Sequence, residues 1–107
     1  MAGANTIGER SFAFGDGIEA KGANSFVYGR WNVPDSENKY AHILGNGTGE
    51  ISAEHEIDRS NAHTLDWEGK AWFAGTVEGR AMILKSTNGS RFKITVGDDG
   101  ALNTEKL

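Results

Sequence analysis

The sequence predicts an all-β fold in which a short parallel β-roll of 14-residue repeats is followed by β-hairpins and a meander. Three observations predict it. Glycines recur every seven residues at positions 8, 15, 22 and 29. A five-residue segment, 11–15, returns fourteen residues later as 25–29. Near the C-terminus, Asn88-Gly89, the strongest short hairpin signal, separates two apolar segments.

The N-terminal repeat is built from very short strands that each end in glycine. The segment 11–15 reads SFAFG and the segment 25–29 reads SFVYG, with weaker copies at 5–8 and 18–22. A helix is excluded, because each glycine inside it would cost about 1 kcal/mol relative to alanine. Two strands and two corners in fourteen residues make one coil of a solenoid-like roll, and each coil covers the edge of the one before.

The repeat has an aromatic face and a small face, because successive strand residues point to opposite sides. Ala13 and Val27 form the small face, which permits a neighbouring layer to approach closely. The aromatic face supplies buried area, either inside the roll or between chains. The residues predicted to pack inside the roll or between chains are Phe12, Phe14, Phe26 and Tyr28, with Gly15 and Gly29 at the corners.

Residues 34–63 are predicted to form a connecting strand and a polar loop. Pro34 and the polar residues 35–39 make a turn, and a strand follows from Tyr40 to Leu44. The acidic stretch 50–60 is expected to be a surface loop with one helical turn.

Residues 64–107 are predicted to close the domain with hairpins, so that 1–33, 34–63 and 64–107 form one cooperative unit. Segments 62–67 and 71–75 flank a Glu-Gly-Lys turn and read as a hairpin. Segments 81–86 and 91–96 flank Asn88-Gly89, and in the second of them Phe92, Ile94 and Val96 alternate onto a buried face. The last residues are expected to be frayed.

Composition indicates that the chain depends on copies of itself. Only 37% of its 107 residues are apolar and 15 are glycine, which has the largest backbone entropy cost on folding. Copies of the same chain are the default partners. The net charge of −4 with interspersed charges argues against nucleic-acid binding. No apolar run approaches the ~20 residues of a membrane span, so we expect no membrane insertion.

The repeat resembles the YadA-like head of trimeric autotransporter adhesins, which is also common in phage and prophage tail-fibre proteins. The family pattern is Asn-Ser-x-Ala-x-Gly every 14 residues, and 10–15 and 24–29 are similar to it. This chain departs from the pattern with bulky Phe and with Val27 in place of Ala. The resemblance implies a left-handed parallel β-roll with three chains around one axis. Segments 40–47, 59–75 and 83–96 resemble stretches that follow the roll in prophage tail proteins.

Catalytic and metal-binding patterns are weak, and we expect no enzyme, no cofactor and no metal. A metal site would combine His55, His63 and Asp66, or one histidine from each of three chains; no histidine pair has the helical spacing of a zinc motif. The acidic set Glu50, Glu54, Glu56 and Asp58 offers carboxylates for glycoside cleavage, but a solvated loop explains it more simply.

Four aromatic side chains are candidates for glycan contact, because exposed rings stack on sugars. They are Trp31, Tyr40, Trp67 and Trp72. The competing interpretation, which we favour, is that they pack inside the domain or between chains.

Together with these observations, the resemblance implies a homotrimeric structural distal domain of a phage-type tail fibre or receptor-binding protein. Its expected partners are two further copies, the rest of the fibre on its N-terminal side and host cell-surface polysaccharide, and its expected location is the virion tail. Two alternatives remain: the head fragment of a bacterial trimeric autotransporter adhesin, on a cell surface, and a capsule-degrading fibre tip.

Overall fold

The computed structural model describes residues 5–6, 8–49 and 57–107, and these contain ten strands and no helix. The prediction of an all-β fold is confirmed. The chain divides into two compact units, Met1–Thr76 and Val77–Leu107, which are described separately.

Seven strands belong to the first unit. They are β1 (Asn5–Thr6), β2 (Phe12–Asp16), β3 (Glu19–Ala20), β4 (Phe26–Arg30), β5 (Tyr40–Asn46), β6 (Asn61–Asp66) and β7 (Ala71–Phe73). β1 and β3 pair in parallel as a small sheet. The other five form a mixed sheet in the order β2-β4-β5-β6-β7, with parallel pairing from β2 to β5 and antiparallel pairing from β5 to β7.

The first four strands alternate between the two sheets and pair with a constant offset. Phe12 lies opposite Phe26, and Asn5 lies opposite Glu19, so both parallel pairs join residues 14 apart. The offset becomes 16 at the next pair, where Phe26 lies opposite His42. The spacing seen in the sequence is therefore the pairing register of the strands.

The corners before β2 and β4 have matching geometry. Ser11 and Ser25 each donate a hydroxyl hydrogen bond of 2.6 Å to the carbonyl of the glycine three residues earlier. Arg10 and Asn24, which precede them, both have positive φ, 54° and 61°. The Arg10 Nε also donates to Asn24 Oδ1 at 2.9 Å. Residues fourteen apart thus make the same local contacts.

The core of the first unit is made of small and branched aliphatic side chains. Ala13, Val27 and Ile43 on the five-stranded sheet cluster with Ile18 and Ala20 around β3, and all five are at most 2% exposed. The small face of the repeat, rather than its aromatic face, therefore fills the interior of the chain. The backbones of β2 and β4 lie close together near the ends of these strands, because a Cβ on Gly15 would collide with the carbonyl oxygen of Gly29.

Asn32 completes the edge of the small sheet. Its side chain is fully buried, and its amide mimics a peptide group: Oδ1 accepts from the Glu19 N–H at 2.9 Å, and Nδ2 donates to the Glu19 carbonyl at 3.0 Å. The loop that follows is shaped by Asp35, whose carboxylate accepts the backbone N–H groups of Lys39 and Tyr40 at 2.9 and 2.8 Å.

The hairpin predicted after the loop is present. β6 and β7 pair in antiparallel fashion, and Asp66 Oδ1 accepts the N–H groups of Glu68 and Lys70 in the turn between them, both at 2.9 Å. The helical turn predicted within 50–60 falls mainly on residues 50–56, which lie outside the described residues. Beside that segment, Thr48 and Asp58 form an antiparallel bridge.

The second unit is the predicted meander. It is a three-stranded antiparallel sheet in the order β10-β9-β8, with strands β8 (Met82–Lys85), β9 (Arg91–Val96) and β10 (Leu102–Lys106). The predicted frayed end is wrong, because β10 pairs with β9 along its whole length and the Leu107 N–H donates to the Arg91 carbonyl at 2.9 Å.

Candidate functional site

The outward side of the five-stranded sheet carries two cross-strand rows of mainly apolar and aromatic side chains. Because paired residues point to the same side of a sheet, the register defines each row. The first row is Phe12, Phe26, His42, Leu65 and Ala71, and the second is Phe14, Tyr28, Leu44, His63 and Phe73. We call these ten residues the outer face.

Aromatic rings on the outer face touch one another from strand to strand. Phe12 and Phe26 stack, with ring centroids 4.8 Å apart and planes 5° apart. His42 lies 4.8 Å from His63, and His63 stacks on Phe73 at 4.3 Å. Such pairs contribute about 0.5–1.5 kcal/mol beyond area burial. The contacts hold the side chains in one layer, so the outer face is preorganised.

The outer face remains accessible in the single chain. Phe12, Phe14, Phe26 and Phe73 are 45–56% exposed. An aromatic side chain buries about 150–250 Å² when covered, so these four rings leave on the order of 400 Å² of apolar surface in water. Patches of about 300–600 Å² are the largest on typical monomers and often mark interaction sites.

His42 gives the outer face an unusual polar atom. Its Nε2 is buried and has no hydrogen-bond partner among the described residues. Burial, and then the neighbouring His63, lowers the pKa of His42 below its ordinary value of 6.5. The Nδ1 of His63 lies 2.9 Å from the Trp72 carbonyl oxygen. Because a carbonyl oxygen only accepts, Nδ1–H is the donor, and the Nε2 of a neutral His63 ring is an acceptor. The lowered pKa keeps the His42 ring neutral at physiological pH.

The sheet of the second unit also has an apolar side. The register places on it Met82, Leu84, Phe92, Ile94, Val96 and Leu102, together with Thr104 and Lys106 along β10. The expectation that Val96 is buried is wrong for the single chain, where it is 65% exposed, and Met82 and Leu84 are about half exposed. A lone sheet is one layer, and an apolar side is buried only when a second layer packs on it.

A groove lies on the opposite, inward side of β6 and β7. It has a volume of about 710 Å³ and is bounded by the loop 33–39. Tyr40 and Trp72 are its aromatic residues, while Asn61 and Asp66 contribute polar groups. Two of the four predicted glycan-contact residues are thus brought together.

The other two lie elsewhere. Trp31 is only 4% exposed; the Arg59 guanidinium lies 5.2 Å over its ring, and Gly17 leaves the space that its ring fills. Trp31 is therefore a packing residue in the chain as described. Trp67 is 51% exposed, does not line the groove, and donates its Nε1–H to Asn38 Oδ1 at 3.3 Å.

The predicted roll-packing residues all lie together. Phe12, Phe14, Phe26 and Tyr28 occupy the first two strands of the outer face. Gly15 and Gly29 lie opposite each other at the ends of those strands. The sequence reasoning missed the continuation of the rows through His42, Leu44, His63 and Phe73, although residues two apart at 42/44, 63/65 and 71/73 carry the same alternation.

The metal and carboxylate alternatives find no assembled site in the described residues. His63 points outward from β6 while Asp66 faces the groove, so the two do not converge. His55, Glu50, Glu54 and Glu56 lie outside the described residues. No group of three or more potential ligands occurs among 5–6, 8–49 and 57–107. Nor does this part of the chain contain a helix long and apolar enough to cross a membrane.

In comparisons with known proteins, no family model, no curated protein and no solved structure matches the chain.

Proposed function

We propose that this chain is a structural subunit that assembles with two further copies, as the distal domain of a phage-type tail fibre or receptor-binding protein. The outer face is the observation that carries the proposal. It is a registered, ring-to-ring aromatic layer that spans five strands, and half of its phenylalanine surface is exposed in one chain. Covering it with identical copies removes that surface from water.

The internal geometry of the first unit supports a β-roll. Strands alternate between two sheets, parallel pairs join residues 14 apart, and equivalent serines cap equivalent glycines. In this roll the small residues Ala13 and Val27 fill the interior, so the aromatic residues face outward, toward neighbouring chains. The number three comes from the resemblance to trimeric adhesin heads and tail fibres.

The second unit supports the same conclusion independently. Its three-stranded sheet exposes one apolar side, and three copies placed around an axis supply the missing layer to one another. Shared burial of this kind stabilises the folded state by mass action and slows unfolding. A fibre tip outside the cell requires such persistence.

A charge placed on the outer face tests the proposal. We expect Phe26→Asp to weaken self-association at least about tenfold, because a carboxylate would be buried in an apolar contact. Val77→Asp is the matched control: it introduces the same charge at a residue that is 62% exposed and lies outside the strands. Sedimentation velocity over a dilution series gives the assembly state of each variant.

Unchanged assembly of Phe26→Asp would contradict the proposal, as would equal weakening by Val77→Asp. A structural role also predicts that host polysaccharide incubated with the protein gains no new reducing ends. Their release would show a hydrolytic function instead.

A further inference from the structure

Along one row on the inward side of the five-stranded sheet, the side chains pass from buried to solvent-exposed. Ala13, Val27, Ile43, Thr64 and Trp72 lie opposite one another across the five strands. The first three are core residues, at most 2% exposed. At the far end of the row, Trp72 is 52% exposed and lines the groove. A large indole thus lies on the core side of the sheet but faces solvent.

Tyr40 is the second aromatic residue of the groove. It packs against the core cluster, and its position is fixed because its N–H donates to the buried Asp35 carboxylate at 2.8 Å. Tyr40 lies opposite Asp66 on the neighbouring strand. The groove therefore has a rigid wall at Tyr40 and an accessible ring at Trp72, with a carboxylate beside them.

The charged residues that line the groove balance. Three are acidic and three are basic: Asp35, Glu37, Asp66, Lys39, Arg59 and Lys70. Several are already engaged. Asp35 accepts two backbone N–H groups, and Arg59 donates to the Gly17 and Asn32 carbonyls at 3.0 Å and lies 3.6 Å from Glu19. A groove of this kind offers little net attraction to an anion or a cation and favours an uncharged ligand.

Short polar side chains complete the lining. Asn61 uses its Oδ1 to accept the Val33 N–H at 2.8 Å, and this leaves its NH₂ group as a donor. Asp66 uses Oδ1 for two turn N–H groups, so Oδ2 remains as an acceptor within the described contacts. Ser36 and Ser60 add hydroxyls. This combination of a flat ring with donors and acceptors matches a ligand that has apolar C–H faces and hydroxyl edges.

We propose that the groove binds a neutral oligosaccharide, with one sugar ring stacked on Trp72 and its hydroxyls hydrogen-bonded to Asn61 and Asp66. The volume of about 710 Å³ lies within the ~300–1,000 Å³ of small-molecule sites. This inference deepens the proposed function and rests on it for the gain from multiple copies: three grooves on one assembly convert weak contacts into avidity. The groove itself lies within one chain.

Ligand titrations followed by NMR test this site in the full chain. The probes are maltohexaose, a β-1,4-linked galactose oligomer and chitotetraose, with a hyaluronan oligomer as the acidic comparator. We expect at least one neutral probe to bind and to shift the Trp72 indole N–H resonance, while those of Trp31 and Trp67 stay in place. Trp72→Ala should weaken that binding at least about tenfold.

Trp67→Ala is the matched control, because Trp67 is 51% exposed against 52% for Trp72 but lies outside the groove. It should leave binding unchanged. The shift of the Trp72 resonance in the unmodified chain decides the question even if Trp72→Ala does not fold.

Three results would overturn the inference: no binding of any neutral probe, binding of the hyaluronan oligomer alone, or equal losses in Trp72→Ala and Trp67→Ala. Measuring the mass of the same samples separates the two proposals. If the chain assembles but binds no neutral probe, the oligosaccharide site is refuted and the proposed assembly stands. If the chain is a monomer and binds a neutral probe, the proposed assembly is refuted and the oligosaccharide site is supported.

Discussion

Replacing Gly15 with alanine tests whether the paired strands β2 and β4 lie as close together at this position as the structure indicates. Gly15 has φ of 132°, where an L-residue is strained by about 1–3 kcal/mol. The new Cβ would also collide with the carbonyl oxygen of Gly29, so β2 and β4 must separate at this end. Losing even one or two ladder hydrogen bonds adds about 0.5–1.5 kcal/mol each. Together these contributions amount to about 1.5–6 kcal/mol.

Gly69→Ala is the matched control, because Gly69 also has positive φ, 88°, but a Cβ there meets no atom within 4 Å. Only backbone strain applies, about 1–2 kcal/mol. The assay is urea unfolding of both variants and the unmodified chain at one protein concentration, since the stability of an assembly depends on concentration. Equal losses of unfolding free energy in Gly15→Ala and Gly69→Ala would refute the close stacking at Gly15.

Two further predictions concern buried polar groups. The lowered pKa of His42 means that the folded state disfavours its charged form, so its contribution to stability is complete above pH 6.5 and is lost as pH falls from 6.5 through the folded-state pKa. His42→Gln should make the unfolding free energy less dependent on pH in that window; an equally steep decline in the variant would contradict this. Asn32→Ala leaves the Glu19 N–H and carbonyl without their side-chain partner and should cost about 2–4 kcal/mol. Asn103→Ala loses only a long exposed contact of 3.4 Å and should cost less than about 0.5 kcal/mol. Thermal unfolding of both asparagine variants measures the two losses.

Local patterns predict the strands well because they act over a few residues. The alternation in 91–96 and the Asn88-Gly89 turn yield β9 and its hairpin as predicted, and Gly89 has the positive φ that this turn requires. The 14-residue spacing likewise appears as the register that places Phe12 opposite Phe26. The first signal acts within a few residues, whereas the second is a repeat whose length equals the offset between the paired strands.

What alternation cannot decide is which side of a strand is inside. Phe12 and Ala13 point in opposite directions in any β-strand, and either side suits an interior. The choice depends on the space left between two sheets that Ile18 and Ala20 also fill, a long-range property that favours Ala13. For the same reason alternation cannot decide between glycan contact and packing for Trp31. Its burial depends on Gly17 and on Arg59, which lies far along the chain.

The groove was beyond sequence reasoning for a related cause. Tyr40 and Trp72 are 32 residues apart in sequence. They line the same groove because β5, β6 and β7 are neighbours in the sheet. Trp67 is closer in sequence to Trp72 than Tyr40 is, yet it lies outside the groove. Strand pairing, and not distance along the chain, decides which of these two tryptophans lines the groove.

The absolute mass of the unmodified chain in solution is the sharpest test of assembly from three copies. One chain is 11.5 kDa, and three together are 34.5 kDa. Light scattering on a sizing column, repeated across a dilution series, should give the mass of three chains at every concentration, because the outer face and the apolar side of the second unit are then covered. A folded species that stays at the mass of one chain would refute the proposed assembly.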